Sequence, residues 1–98
     1  MIKFGELIDG QQLTLLSFFA DWSEDCDTIH EQLKDVSAAL GDKAKLIKID
    51  AEKNKPIIDA LKIKKLPTYV LYKTGEVQWR QSGKLEANDL ISRLKENL

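Results

Sequence analysis

Cys26 is the only thiol in the chain, and His30, the only histidine, follows it by four residues. On a helix the two side chains would be neighbours. A cysteine beside an imidazole could act as an activated nucleophile or give two ligands to zinc. Zinc would need two more ligands, and no second cysteine motif exists to supply them, so no metal and no cofactor are expected. With a single cysteine no internal disulfide can form, which leaves mixed disulfides with glutathione or a partner protein as the redox chemistry open to Cys26. Asp21, Glu24, Asp25 and Asp27 surround it with negative charge, an environment that works against a reactive thiolate. The plainer expectation is a small, partly buried hydrophobe on the apolar face of a helix. Ser23, three residues earlier, is a good helix N-cap, and the acids after it complement the positive helix end.

The elements that would position these residues can be read from spacing. Phe4, Leu7 and Ile8 suggest a short opening helix stopped near Gly10. Leu13 to Ala20 is almost without polar interruption, as in a strand covered on both faces. Ile29, Leu33, Val36 and Leu40 recur at helical spacing and Gly41 ends the run. Lys45–Asp50 reads as a second strand, so strand, helix and strand give a parallel pair. Pro56 suits the first turn of a shorter helix running to about Lys62. Thr68–Lys73, a turn at Thr74-Gly75, and Val77–Gln81 form an antiparallel hairpin. A last helix from about Glu86 buries Leu90, Ile91 and Leu94. The order α-β-α-β-α-β-β-α predicts an α/β domain spanning residues 1–98, a mixed central sheet with helices on both faces.

Composition narrows the function classes. The 98 residues carry 43% hydrophobic side chains and a net charge of −1, enough for one ordinary domain. The charge is uneven, with nine acids against two lysines over residues 1–42 and thirteen bases against seven acids over residues 43–98. The lysines fall on different elements without aromatic partners, so a nucleic-acid face is not expected. No apolar run approaches the ~18 residues of a membrane span, and the N-terminus lacks the apolar stretch of a signal peptide. One cysteine suits a reducing compartment, so a monomer in the cytoplasm is the default expectation.

Four landmarks carry a resemblance. Phe18-Phe19-Ala20-Asp21-Trp22-Ser23-Glu24-Asp25-Cys26 is similar to the signature of the thioredoxin family, in which an apolar strand leads into Trp-Cys-Gly-Pro-Cys. Leu66-Pro67-Thr68 resembles its cis-proline step, Thr74-Gly75-Glu76 its hairpin turn, and Ser82-Gly83 the glycine before its last helix. They fall in the family's order. The resemblance implies a thioredoxin fold whose first strand is short or missing, since about twelve residues precede the central strand.

It also implies where the chemistry has changed. In the family the first cysteine attacks a substrate disulfide, and the second then resolves the mixed disulfide. Here Ser23 stands at the attacking position and Cys26 at the resolving one. A serine hydroxyl without an adjacent base is a poor nucleophile. Ser17 stands where the family keeps a buried Asp, and Glu24-Asp25 replaces Gly-Pro. Cys26 is thus the remaining catalytic candidate of a degenerate site. Trp22, Leu66, Pro67 and Gly83 match the family's peptide groove, where an extended segment pairs with the edge beside the proline. Lys64 and Lys65 are expected to approach the acidic loop. The resemblance therefore suggests a module that binds an extended segment of a partner protein without reducing disulfides. The alternative is a monothiol redox protein or sensor using Cys26.

Overall fold

Leu13–Phe19 forms β1, the second strand in a sheet of order β2-β1-β3-β4. The computed structural model describes residues 13–22, 26 and 28–98. The expected opening helix, the question of a first strand, and Ser23, Glu24, Asp25 and Asp27 lie outside the described residues. β2 covers Ala44–Asp50 and runs parallel to β1; β3 is Thr68–Lys73 and β4 is Glu76–Ser82, each antiparallel to its neighbour. Three helices complete the fold: α1 at Ile29–Leu40, α2 at Lys55–Ala60 and α3 at Ala87–Glu96. This is the thioredoxin-type α/β arrangement expected from the sequence, with boundaries moved by one or two residues.

The period-two alternation of strands divides the core. Leu13 and Leu15 of β1 join Tyr69 and Leu71 of β3 on one face, packed by Ile29, Leu33, Val36 and Leu40 of α1 and Leu90 and Leu94 of α3. Leu16 and Phe18 join Ile49, Val70 and Tyr72 on the other, beneath Ile57, Ile58 and Leu61 of the α2 region. Because both faces are covered, β1 is buried along almost its whole length. Each leucine there contributes roughly 1.5–3 kcal/mol.

Two chain ends are fixed by unlike means. Gly41 closes α1 with φ 58°, its N–H donating to the Ser37 carbonyl; glycine adopts this left-handed conformation without Cβ strain. After α2, Lys62 also has a positive φ of 55°. The carbonyls of Leu61 and Lys62 are held there by the Arg80 guanidinium reaching across from β4. On β4 the register slips between Leu71, opposite Trp79, and Tyr72, opposite Val77, so Gln78 is an extra residue in a bulge.

Candidate functional site

Strand pairing gathers the candidate residues at one end of the sheet. Phe18 lies opposite Thr68, Thr68 opposite Ser82, and Phe19 opposite Asp50. Residues just past β1 and β4 and just before β3 therefore share that end: Ala20–Trp22, Leu66-Pro67 and Gly83. The chain returns through Cys26 into α1, whose first residues reach the same place.

The wall from β3 and β4 is tied together. The Gly83 N–H donates to the Pro67 carbonyl at 2.8 Å, and Gly83 takes φ 98°, which favours glycine. The Thr68 hydroxyl donates to the Lys65 carbonyl and lies 3.0 Å from the Ser82 hydroxyl. The Leu66–Pro67 bond is cis. Pro67 is buried and Leu66 half-buried. The Leu66 N–H and carbonyl have no hydrogen-bond partner among the described residues.

The wall from β1 and α1 is built otherwise. Trp22 is 69% exposed. Cys26 is 4% exposed and free. It lines a recess of about 130 Å³ with Phe19, Ala20, Asp21 and His30. His30 stands edge-on to Phe19, and its Nδ1 lies 2.9 Å from the Lys48 ammonium. That nitrogen accepts from Lys48. α1 begins at Ile29, with Thr28 before it making no side-chain cap; the cap expected at Ser23 lies outside the described residues. Among the described residues no three His, Cys, Asp or Glu groups come together as metal ligands would.

Beneath this wall lies a polar network that the spacing pattern did not single out. The Tyr69 hydroxyl donates to Gln32 Oε1 at 3.1 Å, and Gln32 Nε2 donates to the Leu85 carbonyl. Burial, with a smaller contribution from nearby Cys26, pushes the Tyr69 hydroxyl up to about 12. The available signal was Gln32 itself, a polar residue three after Ile29 and four before Val36, on the apolar face of α1. Ser17, at the position of the family's buried acid, is fully buried, and its Oγ has no hydrogen-bond partner. Trp79 packs on the core under α3 and carries the Arg93 guanidinium 5.7 Å above its ring.

A mixed sheet with helices on both faces, and a tryptophan, a cysteine and a proline edge at one end, defines the class of the thiol-redox α/β proteins. The thioredoxin family model matches residues 2–96, and the chain belongs to that family. It is 36% identical over 97 residues to the chloroplastic thioredoxin Y of Oryza sativa, covering 98% of this chain and 58% of the relative. A thioredoxin-like protein of Synechocystis is 32% identical over 94 residues, covering 95% and 90% of the two chains. The chain thus spans little more than half the length of the chloroplastic relatives it matches. Among solved structures, a malarial protein aligns with TM-score 0.83 at 29% identity, covering 89% of this chain and 98% of its own. The thioredoxin of Trypanosoma brucei shares the fold with TM-score 0.87 at 23% identity, covering 96% and 81%.

Proposed function

We propose that this thioredoxin-family chain is a binding module that holds an extended segment of a partner protein and does not turn over disulfides. The observation that carries the reading is the main chain of Leu66, without a hydrogen-bond partner among the described residues, at the end of the sheet that also carries Pro67, Gly83 and the exposed Trp22. An edge with a free N–H and carbonyl can pair with an extended peptide, and an exposed tryptophan is the residue type that anchors such contacts. Against disulfide turnover stands the composition, since 98 residues with one cysteine hold no second thiol to resolve a mixed disulfide. We keep the cytoplasm as the proposed compartment. The insulin-reduction assay with dithiothreitol tests the chemical half of the reading and should give only the background rate; robust turnover overturns it. Selection of unconstrained phage-displayed peptides tests the binding half. Peptides should be recovered, and Trp22→Ala should lose most of them.

A second reading, a monothiol protein forming a mixed disulfide with glutathione, is favoured by the recess that Cys26 and His30 share. It is opposed by the near-complete burial of Cys26 and by the engagement of His30 Nδ1 with Lys48. Mass spectrometry after mild oxidation with glutathione disulfide separates the two. One glutathione per chain, absent in Cys26→Ser, would establish the second reading.

A further inference from the structure

Resting on the groove reading above, we propose that the groove selects partner segments bearing an aspartate or glutamate side chain beside Gly83, held by the Lys65 ammonium. The geometry is set by the glycine. A Cβ built on Gly83 would lie 3.9 Å from Lys65 Nζ and meet nothing else within 4 Å. The ammonium therefore stands over the glycine, which is itself bonded to the Pro67 carbonyl. A segment pairing with Leu66 would run past this charge.

The lysine is held at its root and free at its tip. Its carbonyl accepts from the Thr68 hydroxyl, which fixes where the side chain departs. Its ammonium has no carboxylate partner among the described residues. Lys62, Lys64 and Lys84 are also exposed close by in the chain, whereas Arg80 is committed to the carbonyls after α2. A cation with no carboxylate partner among the described residues, beside a main-chain edge with no hydrogen-bond partner among them, favours an acidic occupant and disfavours a basic one. The opposite wall carries exposed Asp21 next to Trp22, so the carboxylate is expected on the Gly83 side of the segment and not on the Trp22 side. A carboxylate suits the site because one flexible ammonium provides a point charge without the planar fork that guanidinium offers.

The test uses unconstrained phage-displayed peptides selected on the full chain, on Lys65→Glu and on Lys65→Met, with circular dichroism to establish that both variants fold. Wild-type selection should enrich Asp or Glu at one position of the recovered peptides, and Lys65→Glu should replace them there with Lys or Arg. For one recovered acidic peptide, Lys65→Met should weaken binding about fivefold, as expected for a single exposed pair, and added salt should narrow that difference. Recovery of Trp22-dependent peptides without acidic enrichment, unchanged by Lys65→Glu, overturns this proposal and leaves the groove reading standing. Recovery of no peptides overturns both. Concentration-dependent self-association lost in Lys65→Glu would assign the cation to a second copy of the chain and overturn the partner proposal.

Discussion

The two walls at the site end of the sheet differ in how they are held. On the Leu66–Gly83 wall every buried polar group described has a partner: Gly83 bonds Pro67, and the Thr68 hydroxyl meets Lys65 and Ser82. The Leu66 main chain and the Lys65 ammonium have no partner there among the described residues, and Lys65 is exposed and Leu66 half-buried. On the Cys26 wall the unpaired group points inward, since Ser17 Oγ is sealed in the core without a hydrogen bond. The cysteine above it is nearly as buried. An outward-facing unpaired group is available to a ligand, whereas an inward one is a standing cost of about 1–3 kcal/mol. Under the proposed function, the first wall is the recognition surface and the second a reaction centre without its dithiol.

That contrast can be broken most sharply by restoring the missing thiol. Ser23→Cys should raise insulin reduction on the order of a hundredfold over the wild-type background, a fraction of what a complete nucleophile system supplies. Turnover still at background would mean that the reaction wall cannot be revived by its nucleophile alone. The network below the same wall should be the most sensitive point for stability. Gln32→Ala leaves the Tyr69 hydroxyl and the Leu85 carbonyl without partners and should cost about 2–3 kcal/mol in urea unfolding. A loss below about 0.5 kcal/mol would show that the two groups find other partners.

Alkaline pH probes the same spot through Tyr69. Its folded-state value lies above the unfolded one, so its contribution is intact below about pH 10 and falls away towards pH 12. Tyrosinate absorbance should show a folded-state titration near the upper value, and Tm should drop across that window. A tyrosine titrating normally, with Tm flat until general alkaline unfolding, would contradict the burial argument. The smallest effect belongs to Ser17→Ala, which removes an unsatisfied hydroxyl and should leave stability unchanged or raise it by up to about 1 kcal/mol. A loss of more than about 1 kcal/mol would reveal a hydrogen bond to Ser17 and erase the difference between the walls.

The strands, the helices and their faces were legible because they depend on local period. Leu13–Phe19 is continuous and apolar where both faces are covered, and Ile29, Leu33, Val36 and Leu40 mark one stripe of α1. The convergence of Trp22, Leu66, Pro67 and Gly83 was legible only through the family's landmarks, since no local pattern says that Thr68 will face both Phe18 and Ser82. A serine followed by acids suggests a helix start; α1 begins at Ile29, and Ser23 lies outside the described residues. The Gln32–Tyr69 bond and the reach of Arg80 to Leu61 and Lys62 span long stretches of chain. Such pairs follow from packing and leave no periodic trace. Lys65 was noticed as a charge near the acidic loop, yet its place over Gly83 depends on where β4 ends.

The bulge at Gln78 bears on how such a protein stays dispersed. β4 is an outer strand of the sheet, largely exposed, with Val77 among its open apolar side chains. A straight strand of that kind invites edge-to-edge pairing between molecules and, from there, aggregation. The extra residue sharpens the local twist and breaks the regular spacing of donors and acceptors a neighbour would need, while Glu76 and Arg80 add charge along the strand. Strand pairing between copies is thereby discouraged along β4, while the proposed pairing stretch beside Pro67 lies apart from it.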